Sequence, residues 1–198
     1  AAAWWLWLYI SAALGLPGLL RGAGLCALPV VITGGIHLDG YADTSDALAS
    51  NAPAERKQEI LGDSHCGAFA IIRLCVWFAV YFALCASLAP ERDAALCAGL
   101  GFVLSRALSG LSVACLKPAR TSGLVHTFAA AADKKRVRVF LSVLAAVIAA
   151  ALLAVRPLYG AGMLIAAGLV LWSYVRTVKK QFGGLSGDLA GWFLQRAE

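Results

Sequence analysis

The sequence alternates between long apolar runs and shorter polar segments. A helix needs about 20 apolar residues to cross the hydrocarbon core of a bilayer, and most of the runs approach that length. The pattern predicts an all-α fold, a polytopic bundle of about six transmembrane helices with a short cytoplasmic interfacial helix after the second. The six runs lie at residues 3–20, 24–38, 66–89, 94–116, 138–155 and 158–175.

The second run is the least regular of the six. It is short, and it contains Pro29 and the Gly34–Gly35 pair. Proline and adjacent small residues are common causes of a sharp bend in a helix. We therefore expect this run to be kinked, or to cross the bilayer only in part.

Composition supports a membrane protein. Of the 198 residues, 61% are hydrophobic and 14% are charged, with a mean hydropathy of +0.77, whereas about a quarter of the residues in soluble domains are charged. These values exclude a disordered chain or a coiled coil and disfavour a soluble enzyme. The net charge of +6 forms no basic patch on a soluble domain, so no nucleic-acid partner is expected. The six cysteines contain no C-x-x-C pair, which predicts buried thiols.

Basic residues alternate between the connecting segments. Segments 39–65, 117–137 and 176–198 each contain two or more lysines or arginines, and the other connections contain one arginine each. Because basic loops usually stay on the cytoplasmic side, these three segments are predicted to face the cytoplasm. A single membrane domain over 1–198 is the simplest organisation. The chain opens in an apolar run without a basic start, so we expect no signal peptide and a native start upstream of Ala1.

Acidic residues are concentrated in one of these cytoplasmic segments. Six of the 11 lie between residues 39 and 63. The spacing of Asp39, Asp43 and Asp46 places three carboxylates within about 60° on one face of a helix. Carboxylates suit Mg²⁺, which is commonly bound between one or two of them and substrate phosphates. We therefore predict a metal site, and a solvated acidic face is the alternative.

A turn and a short interfacial helix are expected next. Asn51 is predicted to N-cap this helix, which contains Glu55 and Glu59 and ends at Gly62. The two glutamates are interleaved with basic residues and fit a solvated face. Asp63 supplies a fourth carboxylate to the metal site, or else Asp63 or Ser64 N-caps the following span, and we favour the metal site.

Three arginines are candidates for binding phosphate. Arg73 and Arg106 lie within predicted spans, where charged side chains are rare and usually face the interior of the bundle. Arg120 follows in a cytoplasmic loop. The planar guanidinium group matches the geometry of phosphate oxygens. His37 precedes the aspartates and points away from them on a regular helix.

The C-terminal segment contains a glycine-rich loop, Gly-Gly-Leu-Ser-Gly-Asp at 183–188, followed by a short apolar run. Backbone amides at the start of a helix can hold an anion, so the loop is a candidate for binding a phosphate. A flexible turn, or close packing of helices through small residues, is the alternative.

Three segments together resemble the adenosylcobinamide-GDP ribazoletransferases, also called cobalamin synthases. Residues 37–48, HLDGYADTSDAL, are similar to the acidic signature of that family, HLDGLADTxDAL. Residues 62–69, GDSHCGAF, resemble its D-S-x-x-G-A-F segment, with His65 where arginine is common. Residues 183–188 resemble its GG-x-T-G-D motif, with serine for threonine. The resemblance covers nearly the whole chain, and family members usually have a further N-terminal stretch.

The resemblance implies a Mg²⁺-dependent transferase of cobalamin synthesis. Its substrates would be adenosylcobinamide-GDP and α-ribazole, or α-ribazole 5′-phosphate, and its products adenosylcobalamin, or its 5′-phosphate, and GMP. It also implies a multi-pass protein of the inner, or plasma, membrane, surrounded by lipid, with the active site facing the cytoplasm. A homo-oligomer is compatible with the sequence, which leaves the oligomeric state open.

This reaction gives each candidate residue an expected role. Asp39, Asp43 and Asp63 would hold one or two Mg²⁺ ions on the pyrophosphate, and Asp46 would be a further ligand or the base that takes the hydroxyl proton. Catalytic roles are expected for Asp46, Asp63 and Arg106. Contacts with phosphate, nucleotide or corrin are expected from Arg73, Arg120, Gly183, Gly184 and Asp188.

Two other functions remain as alternatives. The acidic motif more loosely resembles that of the CDP-alcohol phosphotransferases of lipid synthesis. In that family an Ala-Arg pair follows the first Asp-Gly, whereas Ala42-Asp43 stands here. A transporter would place its carboxylates near the middle of the bilayer, whereas these cluster at the cytoplasmic edge of the predicted spans.

Overall fold

A computed structural model describes residues 2–63, 65–119 and 133–198 of the chain. Within these residues the fold is all-α, as predicted. Nine helices are present in the described ranges: α1 (Ala2–Ala13), α2 (Gly18–Thr33), α3 (Ile36–Ala49), α4 (Ala54–Ile60), α5 (Ala68–Ser87), α6 (Arg92–Cys115), α7 (Lys134–Val155), α8 (Pro157–Gln181) and α9 (Gly187–Ala197).

Four of these helices, α5 to α8, are long and apolar enough to cross a membrane. They correspond to the last four apolar runs. Their outer faces expose large apolar side chains, and on α5 Ile72, Val76 and Val80 are 57%, 60% and 55% exposed. Such continuous apolar surface is typical of a face that contacts lipid. The predicted membrane helix bundle is therefore confirmed.

The number of spans is smaller than the six predicted, because the first two runs do not form complete spanning helices. α1 has 12 residues, about 18 Å at 1.5 Å per residue, which is short of a bilayer core of about 30 Å. Gly15, with a φ of 65°, and Pro17 interrupt this run. α2 and α3 reach spanning length only together and meet at 90°. The described residues therefore hold four helices of spanning length, or five if the bent pair is counted as one.

The bend between α2 and α3 lies at Gly34 and Gly35, where the sequence predicts a kink. Their φ angles are 65° and 80°, in the left-handed region that glycine adopts without steric cost. Pro29 remains inside α2. α3 carries three aspartates in 14 residues and lies outside the four long spans, so the bend brings a polar helix to the edge of the bundle.

α3 and α9 pack with their backbones in contact. A Cβ atom at Gly40 would lie 2.6 Å from the carbonyl oxygen of Asp188, and one at Gly191 would lie 3.3 Å from the Cα of His37. Beneath this contact, the Tyr174 and Phe193 rings stack with 4.7 Å between their centroids. The C-terminal helix is thus part of the core that supports the acidic helix.

α4 confirms the predicted short helix, but not its predicted cap. Asn51 has a φ of 50°, and Pro53 occupies the N-cap without a side-chain hydrogen bond. The prediction of Asn51 as N-cap is wrong, because the chain turns there through the left-handed region and the helix begins three residues later. Lys57, which is 4% exposed, donates from Nζ to Oε1 of Gln181 and fixes α4 to the end of α8.

The predicted burial of the cysteines is correct for only half of them. Cys26, Cys85 and Cys97 are buried. The other three are exposed. Cys66 lies in the loop before α5, Cys75 on an outward face of α5, and Cys115 at the end of α6.

Candidate functional site

The three aspartates of α3 share one face, as their spacing predicts. Asp39, Asp43 and Asp46 lie on successive turns of the helix. The start of α5 borders this face at Asp46. The start of α9 borders it on the other side, where the backbone of Asp188 contacts Gly40. The acidic face is therefore enclosed by two helix N-termini that lie far apart in the sequence.

Asp46 is bound to the first turn of α5. Its Oδ2 accepts a hydrogen bond from the amide of Gly67 at 2.6 Å, and its Oδ1 accepts one from the amide of Ala70 at 2.9 Å. Gly67 is the N-cap of α5. Asp46 therefore caps the N-terminus of α5, which the sequence suggested as the alternative role of Asp63.

Asp43 experiences the combined charge of the acidic residues. Burial raises the pKa of its carboxyl to about 7, and the charges of four other aspartates add to this effect: Asp39, Asp188, Asp46 and Asp63, in that order. Among the described residues, no lysine or arginine forms an ion pair with Asp39 or Asp43. A cation bound here would therefore relieve repulsion that no side chain of the described ranges offsets.

The donor set fits Mg²⁺. No three His, Cys, Asp or Glu side chains of the described ranges are assembled around one metal position. Mg²⁺ usually keeps several waters and is held by one or two carboxylates together with substrate phosphates. Asp39 and Asp43, one helical turn apart, supply two such carboxylates. A structural zinc site would require four assembled protein ligands.

Asp63 lies at the edge of the acidic face. Its Oδ1 accepts a hydrogen bond from the amide of His65 at 3.0 Å and lies 2.7 Å from the ring Nδ1 of the same residue. These hydrogen bonds lower the pKa of Asp63. The side chains of Asp63 and His65 are 55% and 91% exposed, so this carboxylate remains accessible.

A cleft of about 520 Å³ opens beside Asp39. Its walls come from the bend at Gly34 and Gly35, from Cys66, and from apolar side chains of α5 that include Phe78. The acidic face therefore adjoins a partly apolar space, which can accommodate part of a ligand whose phosphates lie at the carboxylates.

Arg106 lies on the other side of α3. Its Nη1 is 2.9 Å from Nε2 of His37, and its Nη2 is 2.7 Å from Oε1 of Glu198. Burial, and then the charge of Arg106, lower the pKa of His37 to about 4, so the neutral ring accepts the hydrogen bond. At about 100° per residue, His37 is rotated about 150° from the mean direction of the three aspartates. The structure does not bring Arg106 to the acidic face, and its phosphate contact stays a prediction.

Arg73 lies on the part of α5 that packs against α9. One turn later on α5, Trp77 donates from Nε1 to the carbonyl oxygen of Gln195 at 3.1 Å. Arg196 follows on α9, with its guanidinium 4.5 Å from the centre of the Trp192 ring. Burial lowers the pKa of Arg196, and the charge of Arg73 contributes to the same shift. Arg73 therefore faces the end of α9.

The glycine-rich loop pairs with the segment after α6. The amide of Leu185 donates to the carbonyl oxygen of Lys117, and the amide of Ala119 donates to that of Leu185, both at 2.8 Å. A Cβ atom at Gly184 would lie 2.7 Å from the Cα of Ala119. Gly183 has a φ of 66°. The left-handed φ of Gly183 and the close backbone contact of Gly184 thus each favour glycine, independently of any ligand.

The loop leads into a helix, as predicted. Oγ of Ser186 accepts a hydrogen bond from the amide of Leu189 at 3.3 Å and caps α9. Asp188, in the first turn, lies beside Gly40 and contributes to the charge around Asp43. Arg120 is the next residue after Ala119 and lies outside the described residues.

Sequence reasoning missed three features of this region. They are the cap on α5, the backbone pairing of the glycine-rich loop, and the position of Arg196. The first two join residues that are distant in sequence, so no local pattern indicates them. Arg196 had a local signal, because Trp192 precedes it by one helical turn.

Comparisons with known proteins agree on one family. The family model described as cobalamin-5-phosphate synthase matches residues 1–198. A protein of Lachnoclostridium phytofermentans is 42% identical over 185 residues, which cover 93% of this chain and 70% of that protein. A protein of Clostridium perfringens strain 13 is 32% identical over 98% of this chain and 76% of its own length. A protein of Bradyrhizobium diazoefficiens is 33% identical over 96% of this chain and 71% of its own length. All three are named adenosylcobinamide-GDP ribazoletransferase. No solved structure matches the chain.

Proposed function

The chain belongs to the cobalamin-5-phosphate synthase family, and we propose on this premise that its acidic face carries out the transfer that names its relatives. The enzyme joins adenosylcobinamide-GDP to α-ribazole, or to its 5′-phosphate. It gives adenosylcobalamin, or its 5′-phosphate, and GMP in the last steps of cobalamin synthesis. The family match over residues 1–198 is the observation that carries this conclusion.

The chemistry is the exchange of a pyrophosphate bond for a phosphodiester bond. A ribose hydroxyl of α-ribazole attacks the phosphorus nearer the cobinamide, a new P–O bond forms, and the bond to the GMP oxygen breaks. The hydroxyl loses its proton in the process. Catalysis of such a transfer rests mainly on positioning and on neutralising the charge of the phosphates.

We propose that Asp39 and Asp43 hold Mg²⁺, with Asp63 as a further ligand from the edge of the site. When bound, the metal would neutralise the pyrophosphate and the departing GMP. Three observations support this assignment. The carboxylates share one face of α3, burial and then the charges of the other aspartates raise the pKa of Asp43 to about 7, and no basic side chain of the described residues pairs with Asp39 or Asp43.

The other predicted contacts differ in their structural support. The start of α9 is beside the acidic face, which favours a role of Asp188 and of the loop at 183–184 in orienting the nucleotide or the corrin. Arg120 follows Ala119, which is held against this loop, and we propose Arg120 as the phosphate contact. To bind the same phosphate, Arg106 would have to release its ion pair with Glu198 and reorient past α3.

The setting of the reaction is a membrane. Four long apolar helices support an integral membrane enzyme in contact with lipid. The distribution of lysine and arginine supports our proposal that the acidic face is on the cytoplasmic side of the inner, or plasma, membrane. Accessibility of Cys66 to a membrane-impermeant thiol reagent in inverted vesicles, compared with intact cells, tests this orientation.

The experiment for the function is a reaction in nanodiscs that omits each component in turn. The purified chain, adenosylcobinamide-GDP, α-ribazole and Mg²⁺ should together give equal amounts of GMP and adenosylcobalamin by chromatography. Omission of α-ribazole or addition of EDTA should abolish both products. GMP release that does not require α-ribazole would contradict the transferase assignment, and turnover that survives EDTA would contradict the Mg²⁺ assignment.

A further inference from the structure

The contact between Asp46 and α5 reproduces a capping box in which α3 supplies the acceptor. In a capping box, the side chain of the N-cap residue accepts from the amide three positions later, and the side chain at that later position accepts from the N-cap amide. Here the N-cap is Gly67 and the later residue is Ala70, and neither has an acceptor. The two oxygens of Asp46 accept from both amides.

Gly67 is fitted to this arrangement. A Cβ atom at this position would lie 2.7 Å from Oδ2 and 2.8 Å from Oδ1 of Asp46. The φ and ψ angles of Gly67, −86° and 170°, are available to any residue and are typical of an N-cap. The three atoms nearest to such a Cβ all belong to the carboxylate of Asp46, which is therefore the closest obstacle to a self-capping serine at position 67.

The same bonds connect the acidic face to a membrane span. Asp46 belongs to the helix that carries Asp43 and Asp39, one and two turns earlier, and α5 begins where Asp46 is bound. Without the two bonds, the amides of Gly67 and Ala70 would lose their acceptor, and α3 would lose its polar tie to α5. Breaking this contact would therefore move the proposed metal ligands relative to α5.

We propose that Asp46 is a positioning residue, which caps α5 from α3 and so holds Asp39 and Asp43 in place, and that it is neither a metal ligand nor the base. The proposal rests on the proposed function, because its main readout is the transferase reaction. It changes the role that the sequence alone suggests for Asp46.

The test is to move the cap from α3 to α5. In Asp46→Ala the two amides lose their acceptor, and we expect a loss of turnover of about tenfold or more. In the double variant Asp46→Ala/Gly67→Ser, the serine hydroxyl can accept from the amide of Ala70, and the carboxylate atoms nearest to its Cβ are gone. We expect this variant to recover turnover to within about threefold of wild type, since a cap that is replaced costs little. The Mg²⁺ concentration for half-maximal rate should be unchanged.

Single variants provide the matched controls. Gly67→Ser alone should be impaired, because its Cβ atom meets the retained carboxylate. Asp46→Asn keeps one acceptor oxygen, and it should retain more turnover than Asp39→Asn, again with the wild-type dependence on Mg²⁺. Unfolding temperature in nanodiscs is recorded for every variant, so that loss of folding is separated from loss of chemistry.

Each result decides between the two roles of Asp46. A double variant that is folded but as inactive as Asp39→Asn would overturn the proposal, and so would a double variant that does not fold. If Asp46→Ala alone does not fold, the comparison of the double variant with wild type still decides between the two roles of Asp46. Absence of GMP release from folded wild type would instead count against the proposed function, and the unfolding temperatures would then still test the cap.

Discussion

Arg106 and Asp43 lie on different sides of α3, because the His37 that Arg106 contacts is rotated about 120° from Asp43. The guanidinium of Arg106 contacts His37 and Glu198, whereas the carboxylate of Asp43 is surrounded by the charges of the other aspartates. α3 therefore separates a carboxylate face, which can hold a cation, from an arginine-containing region against α6 and α9. This separation gives the two residues different expected effects on turnover.

We expect Arg106→Gln to affect stability more than substrate binding. The side chain of Glu198 is 6% exposed, and without Arg106 its carboxylate would keep the hydroxyl of Ser105 as a partner. Because the side chain of Arg106 is 44% exposed, the expected cost is below the roughly 3 kcal/mol of a fully buried pair. The unfolding temperature in nanodiscs should fall, while KM for adenosylcobinamide-GDP should stay within about twofold, because a lost contact that does not touch substrate leaves KM unchanged.

A second substitution provides the control for this variant. Arg106→Gln/Glu198→Gln removes both charges and should regain part of the lost stability, since the unpaired charge is gone. A rise in KM of tenfold or more in Arg106→Gln, without loss of stability, would show that Arg106 binds substrate phosphate directly.

Cys66 provides a measure of metal binding that does not depend on turnover. Although Cys66 is exposed, slight desolvation raises the pKa of its thiol, and the charges of Asp46, Asp43 and Asp39 raise it further. A raised pKa lowers the fraction of reactive thiolate at a given pH. Mg²⁺ bound at Asp39 and Asp43 would offset these charges and lower the thiol pKa. We therefore expect Mg²⁺ to speed alkylation of Cys66 about twofold or more near pH 8.

The measurement is mass spectrometry of the alkylated peptides over a range of pH, with and without Mg²⁺ and without substrate. The midpoint of the Cys66 profile should move to lower pH when Mg²⁺ is added. Cys115, which is also exposed, serves as the internal comparison. The metal assignment would be contradicted if the shift persisted in Asp39→Asn/Asp43→Asn, or if Mg²⁺ had no effect on wild type.

The close contact of α3 with α9 makes Gly40 sensitive to the smallest substitution. A methyl group at Gly40 would meet the backbone of Asp188 at 2.6 Å, and backbone cannot move aside as a flexible side chain can. We expect Gly40→Ala to cost about 1–3 kcal/mol of stability and to reduce turnover, because it separates Asp188 from the acidic face.

Gly162→Ala is the matched control, since nothing lies within 4 Å of a Cβ atom at that position. Alanine is favoured over glycine within a helix, so this variant should be neutral or slightly stabilising. Unfolding temperature and GMP release of the two variants provide the comparison. Equal behaviour of Gly40→Ala and Gly162→Ala would contradict the backbone contact.

Local sequence patterns predict the parts of this molecule that depend on local structure. The four long helices follow from apolar length, the shared face of Asp39, Asp43 and Asp46 follows from helical spacing, and the bend follows from Gly34–Gly35. The sequence also predicts that the charge around this face is negative, because the acidic residues are concentrated in one segment.

The remaining features depend on which helices meet. No spacing rule indicates that Asp46 caps a helix that begins 22 residues later, or that Ala119 pairs with Leu185. Arg106 illustrates the same limit. Its depth in α6 does not indicate its partners, because the rotation of α3 decides that it meets His37 and not the aspartates.

The most direct test of the account is the Mg²⁺-dependent release of GMP by variants of the acidic face. Asp39→Asn and Asp43→Asn each remove one charged ligand while keeping the size of the side chain. Glu59→Gln is the matched control, because Glu59 is an exposed acidic residue that pairs with Arg56 on α4.

We expect each aspartate variant to lose at least about a hundredfold in turnover at saturating substrate, to require more Mg²⁺, and to unfold close to the wild-type temperature. Glu59→Gln should keep wild-type turnover. Folded Asp39→Asn and Asp43→Asn variants that release GMP at the wild-type rate would contradict the assignment of the acidic face of α3 as the catalytic metal site.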